Sequence, residues 1–154
     1  MPKCYQLIGV PGSGKSTWIS NQDWAGNCVI ASTDNHVESY AREQSSTYSE
    51  VFQQFMPRAV ELMAADVNLA REQGLDVVWD QTSTTRASRA RKFRMLPDYE
   101  HIAVVFATPE HSELVRRLAA RPGKLIPQHV VNGMIKNFEM PTEEEGFKEI
   151  WYAQ

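Results

Sequence analysis

Short apolar runs separated by longer amphipathic stretches set the pattern of this chain. Residues 5–8, 28–31, 76–79 and 102–106 are tracts of strand length rich in Val, Ile and aromatic side chains, the form taken by strands covered on both faces. Between them, Phe52, Phe55, Met56, Val60, Met63, Val67 and Ala70 recur every three or four residues, which predicts a long helix over 48–73 with this stripe in the core and Gly74 as its stop. A second helix is expected from Pro109 to residue 120, with Leu114, Val115 and Leu118 on its apolar side. Pro122 and Gly123 then form a loop, and a further helix is expected from Pro127 to about residue 138. Strand and helix in alternation predict an α/β fold built on a parallel sheet. The acidic run Glu143-Glu144-Glu145, after Pro141-Thr142, reads as a solvated helix start.

A chain of 154 residues with 42% hydrophobic residues, no repeat and no linker is expected to form one domain, over 1–154. The 16 basic and 19 acidic residues give no general positive field, so any nucleic-acid partner must be held locally. Cys4 and Cys28 lie in apolar stretches with no metal-ligand spacing and read as buried thiols. No apolar run approaches spanning length and the first motif leaves no room for a leader, so a cytoplasmic protein without a membrane partner is expected.

Residues 9–16, Gly-Val-Pro-Gly-Ser-Gly-Lys-Ser, fit the phosphate-binding pattern G-x-x-x-x-G-K-[ST] in the place the chemistry needs, after an apolar strand and before a helix starting near Lys15. Gly12, Ser13 and Gly14 let backbone N–H groups turn inward around phosphates, and the helix N-terminus adds its dipole. Lys15 is then the charge for the β and γ phosphates and Ser16 the Mg²⁺ ligand. Thr17 supports the helix start or the α-phosphate. ATP and Mg²⁺ are the expected cofactors.

The loop speaks only for the triphosphate, so the acceptor side rests on other residues. Asp34 follows the second strand, where a carboxylate either accepts a hydroxyl's proton or caps a helix. Asp80 ends the third strand and serves the metal, the reacting groups or another cap. Beyond it, a hydroxyl-rich turn with Thr82 leads into Arg86, Arg89, Arg91, Lys92 and Arg94. Arg86 and Arg89 share a helix face suited to a phosphate-bearing substrate, whereas Arg91, Lys92 and Arg94 read as solvated surface. Arg121, at the mouth of the Pro122-Gly123 loop, is placed to close over the transferring phosphoryl group, and Lys124 lies close behind it. Arg117 fits a helix-terminal cation.

With these residues in hand, the chain resembles the 5′-hydroxyl polynucleotide kinases of phage and of eukaryotic end repair over nearly its whole length. The resemblance rests on residues 9–18, Asp34, the Asp80-Gln81-Thr82 turn with its downstream arginines, Arg121, and residues 138–147. It implies an adenylate-kinase-like P-loop NTPase fold, a parallel sheet flanked by helices with a small lid. It further implies Asp34 as general base, Lys15 and Arg121 as phosphate clamps, Ser16 as metal ligand, and Asp80 with Thr82 on the acceptor side. The phage enzymes carry a basic residue shortly after the catalytic acid, where this chain has Val37 beside His36. Arg42 or the Arg86/Arg89 pair would compensate; otherwise the acceptor is another hydroxyl, such as a hydroxymethyl pyrimidine of phage DNA. No phosphatase domain is expected after residue 154. The function expected is therefore an ATP-dependent kinase acting on a nucleic-acid hydroxyl, most simply the 5′ end of DNA or RNA. A kinase of a modified base, nucleoside or small molecule, and a nucleotide-driven switch without phosphotransfer, are the alternatives.

Overall fold

The structure is a computed structural model, and residues 1–153 are described. Five strands, β1 (Lys3–Ile8), β2 (Val29–Ala31), β3 (Val77–Trp79), β4 (Glu100–Phe106) and β5 (Phe147–Ala153), form one sheet in the order β2-β3-β1-β4-β5. Every neighbouring pair is parallel. Parallel strands need crossovers, supplied by α1 (Lys15–Ser20), α2 (Thr33–Glu43), α3 (Tyr48–Gln73), α4 (Arg86–Met95), α5 (His111–Ala119) and α6 (Gln128–Lys136). This is the five-stranded, helix-flanked sheet of a P-loop NTPase.

Alternate residues of each strand feed opposite layers. Cys4, Val77 and Trp79 pack with Met63, Val67 and Ala70 of α3 on one face. Tyr5, Leu7, Ile102, Val104 and Phe106 pack on the other, against Trp18, Trp24 and Trp151. The long helix has the expected bounds. Thr47 and Glu50 form a reciprocal capping box at its start, and Gly74 ends it in the left-handed region at φ 67°.

Three sequence expectations are corrected. Phe52 and Val60 of the α3 stripe are exposed, because only one side of this helix meets the sheet and α2. The acidic run is a single 3-10 turn, Glu143–Glu145, leading into β5, which the apolar pattern did not reveal. β5 lies at the sheet's edge, and its exposed Lys148, Glu149 and Tyr152 interrupt the apolar run that marks a doubly covered strand. Lys92, expected at the surface, is buried with its ammonium 5.4 Å from the centre of the Trp79 ring, and burial lowers its pKa to about 8.

Because β1 touches both β3 and β4, the order of strands reverses on either side of it. The loop leaving β1 thus opens into the crevice where ligands of open α/β sheets bind. Among the described residues, no helix is long and apolar enough to cross a membrane.

Candidate active site

The loop after β1 is closed by its own lysine. The Lys15 ammonium donates to the carbonyls of Gly9 and Val10 at 2.8 and 2.9 Å, and α1 starts at this residue behind Gly14, whose φ is 104°. At Gly12, φ is +84° and a Cβ would stand 3.0 Å from Leu114 and 3.2 Å from Leu118, so the apolar side of α5 supports the loop only if this residue is glycine. Arg117, expected merely to complement a helix end, donates to the Gly12 carbonyl at 3.0 Å while Glu113 holds its other side at 2.8 Å. A contact across 105 positions leaves no periodic trace in sequence.

Whether this loop suits a triphosphate can be tested on its own atoms. Ser13 Oγ is buried without a hydrogen-bond partner, which fits a hydroxyl reserved for a ligand oxygen. Burial lowers the Lys15 pKa to about 8, opposed by the charge of Asp80 and reinforced by Arg121. A desolvated cation of this kind gains most from an incoming polyanion. Ser16 and Thr17 present exposed side chains on the first turn of α1. Among the described residues no three His, Cys, Asp or Glu side chains gather to hold a metal. The exposed Ser16 hydroxyl is an oxygen donor of the kind Mg²⁺ takes alongside phosphate and water.

Asp34 lies in the first turn of α2, and Ser32, not Asp34, caps that helix by accepting from the Asn35 N–H. Its carboxylate is therefore free to face the crevice. Tyr48 Oη donates to Oδ1 at 2.7 Å, and Lys124 Nζ donates to Oδ2 at 2.9 Å. Burial raises the Asp34 pKa, but Lys124, Tyr48 and Arg121 together outweigh it and hold the carboxyl below its usual range. Asp80 moves the opposite way: burial pushes its carboxyl up, Lys15 opposes this, and the charge of Asp34 adds to the rise. Two acids close enough to feel one another thus have opposed environments, the arrangement by which acid and base roles separate.

The connection between α5 and α6 carries Arg121, Gly123 and Lys124 to this point. Gly123 has φ +66°, and a Cβ there would stand 2.7 Å from Thr47 Cβ, so the loop lies against the start of α3. The Gly123 carbonyl accepts from the Ser49 N–H at 3.0 Å, and the Leu125 N–H donates to Ser49 Oγ at 2.8 Å. Lys124 also lies 3.6 Å from Glu38 and 4.5 Å from the centre of the Tyr48 ring. Arg121 forms no ion pair among the described residues, and its charge is felt at Lys15, Asp34 and Tyr48.

The remaining acceptor-side expectations divide. Thr82 accepts the Gly9 N–H at its carbonyl, 2.9 Å away, which ties the turn after Asp80 to the phosphate loop. Arg86 is exposed at the start of α4. Arg89 is corrected: its side chain is 0% exposed, paired with Glu145 at 2.8 and 3.2 Å, and donates to the Ser83 carbonyl at 3.0 Å. Arg89 is thus committed to the interior, and although Arg86 stands three positions before it on the same helix, only Arg86 reaches the surface. Val37 is 0% exposed and packs in a cluster with Ala41, Val51 and Ala59. His36 turns away to Asp66, 2.7 Å distant. Tyr48 and Glu38, which the sequence reading did not single out, stand at the site instead. An apolar cavity of about 330 Å³ lined by Phe106, Thr108, Phe138 and Tyr152 lies beside the ends of β4 and β5.

A family model described as an AAA domain matches residues 6–141. Among solved structures, a kinase candidate from Chloroflexus aurantiacus is similar at TM-score 0.70 and 13% identity, covering 99% of this chain and 84% of that one. A protein of the PezAT chromosomal toxin-antitoxin system of Streptococcus pneumoniae is similar at TM-score 0.73 and 21% identity, over 100% of this chain and 67% of that one. A chain of the Pnkp1/Rnl/Hen1 RNA repair complex is similar at TM-score 0.64 and 25% identity, over 88% of this chain but only 43% of its own length.

Proposed function

The chain belongs to the AAA domain family, and on that footing we propose that it is an ATP-dependent kinase that phosphorylates a hydroxyl on a nucleic acid, the 5′ end of DNA or RNA. The observation that carries the kinase reading is the meeting of Lys15, Asp34, Asp80, Arg121 and Lys124 at the mouth of the phosphate loop, each close enough to perturb another. A nucleotide switch needs the loop alone; a paired acid and base beside it, with two lid cations, suit transfer to an acceptor. The likeness to a chain of an RNA repair complex supports a nucleic-acid acceptor.

In this mechanism the backbone of 9–16 and the Lys15 ammonium orient the β and γ phosphates, and Arg121 faces the phosphoryl group in flight. Mg²⁺ beside Ser16 would offset phosphate charge. Asp34 takes the proton of the acceptor hydroxyl, Asp80 and Thr82 line the acceptor side, and Arg86 remains on the surface for its phosphates. Lys15 and Arg121, aimed at the transferring phosphoryl group, would favour the charge of the transition state over that of the separated reactants.

A second reading has its own observation. With Arg89 sealed against Glu145, Val37 buried and Glu38 paired with Lys124, these positions offer a neighbouring phosphate no free cation, and of the Arg86/Arg89 pair only Arg86 is exposed. A hydroxymethyl group on a pyrimidine base suits that surface. Incubation with γ-labelled ATP and, side by side, a 5′-hydroxyl oligonucleotide, a hydroxymethyl-base duplex with blocked ends and no acceptor decides between them. Label on the oligonucleotide end is expected; label on the modified base selects the second reading, and label only in free phosphate overturns the kinase.

A further inference from the structure

We propose that Tyr48 and Lys124 are positioning residues that divide the two oxygens of Asp34 between them: Tyr48 fixes Oδ1, and Lys124, carried on the lid, reserves Oδ2 as the proton-accepting atom until an acceptor hydroxyl displaces it. The inference rests on the kinase reading above and adds to it an assignment of each carboxylate oxygen.

The two partners differ in how they are held. Tyr48 is the first residue of a helix of 26 residues locked by its capping box, so its hydroxyl, 2.7 Å from Oδ1, is delivered by a rigid element. Lys124 sits on the connection between α5 and α6, and its ammonium has three holders: Asp34 Oδ2 at 2.9 Å, Glu38 Oε1 at 3.6 Å and the Tyr48 ring at 4.5 Å. On leaving Oδ2 it keeps the other two. Displacement therefore costs one hydrogen bond and does not strand a charge. The lid backbone need not move, since Gly123 and Leu125 stay bonded to Ser49. Oδ2 is thus the exchangeable oxygen and Oδ1 the anchored one.

The step balances on this geometry. The acceptor O–H breaks with its proton passing to Oδ2 as the acceptor oxygen bonds to the γ-phosphorus. The bond from that phosphorus to the β–γ bridging oxygen breaks, and its electron pair leaves with the diphosphate. The displaced ammonium stays beside Glu38, and the proton on Oδ2 is lost to solvent as the product departs.

Asp34 is faced by Lys124 and Arg121 from the lid, Tyr48 from α3, Lys15 from α1, Asp80 from the end of β3 and Glu38 from its own helix. Removing one of the first three should raise its carboxyl titration. The experiment is a carbon-13 carboxyl titration of the full chain, with the Asp34 signal assigned by its loss in Asp34→Asn, run on Tyr48→Phe, Lys124→Met and Lys124→Arg beside the acid limb of kcat. The Asp34 midpoint is expected to rise by about one pH unit in Tyr48→Phe and about one to two in Lys124→Met, and to stay within about half a unit in Lys124→Arg. The acid limb of kcat should move with it. Unmoved midpoints in both Tyr48→Phe and Lys124→Met, or a loss of kcat equal at every pH, would overturn the proposal. A wild type that labels none of the offered acceptors while the midpoints still rise would sink the kinase reading and leave the division of the carboxylate standing.

Discussion

Arg89 of α4 and Glu145 of the 3-10 turn form a two-pronged ion pair inside the protein, at 2.8 and 3.2 Å, with side chains 0% and 4% exposed. The pair ties the segment leading into β5 to the helix that follows Asp80, and Arg89 reaches on to the Ser83 carbonyl.

Removing one partner leaves the other charge buried alone. Arg89→Met should therefore lower stability by about 3–5 kcal/mol, seen as a large fall in Tm, whereas the double change Arg89→Met with Glu145→Leu should recover most of it. A folded Arg89→Met with normal stability and a raised acceptor KM would return Arg89 to the substrate side.

Asp34→Asn keeps the shape of the carboxylate and its bond from Tyr48 but removes the base. Turnover should fall by roughly 10²–10⁴-fold while nucleotide affinity, measured by calorimetry, stays close to wild type. Near-normal turnover would remove Asp34 from the base role.

Lys15 has a pKa lowered to about 8 by burial, so its charge in the free protein is lost as pH rises through that value. A bound triphosphate favours the ammonium and raises the pKa again. Nucleotide binding near pH 8.5 should therefore take up protons, read as a dependence of calorimetric heat on buffer ionisation, and affinity should weaken from pH 7 to 9. Lys15→Ala should abolish both effects along with most of the affinity.

Gly123→Ala places a methyl group 2.7 Å from Thr47 Cβ at a residue whose φ is +66°. The left-handed backbone alone costs about 1–2 kcal/mol for a residue with a side chain. Since the methyl group meets the rigid cap of α3, the lid should lift from it and carry Arg121 and Lys124 away. The kcat is expected to drop roughly tenfold to a hundredfold with only a modest change in Tm. An unchanged kcat would show that the lid's seat on Thr47 does not matter.

Much of the sheet is legible in the sequence because the covered parts of β1 to β4 are short apolar runs, broken only by Gln6 within β1 and by Lys3, Glu100 and His101 at the strand starts. β5 escapes since its exposed Lys148, Glu149 and Tyr152 break the apolar run, whereas β2 at the opposite edge is short and apolar, Val29–Ala31. The phosphate loop is legible because its chemistry depends on backbone shape and one adjacent lysine, all within one short segment. Lys124, Tyr48, Arg117 and Arg89 act through contacts 90, 14, 105 and 56 positions away, and no local period marks such partners.

The sequence by itself determined the phosphate loop, the long α3 with its Gly74 stop, and an acid after each of the second and third strands. These follow from local rules: which residues permit a left-handed turn, which periods suit a helix, and which side chains end a strand. Only the tertiary structure decided that Arg89 is sealed away with Glu145, that Val37 faces the core, and that the two oxygens of Asp34 belong to Tyr48 and Lys124. An isolated charged side chain has the same chemistry on a surface, in an ion pair or at a reacting atom. Its surroundings, brought together from distant segments by the burial of apolar surface, select among these, through the cost of taking a charge out of water unpaired.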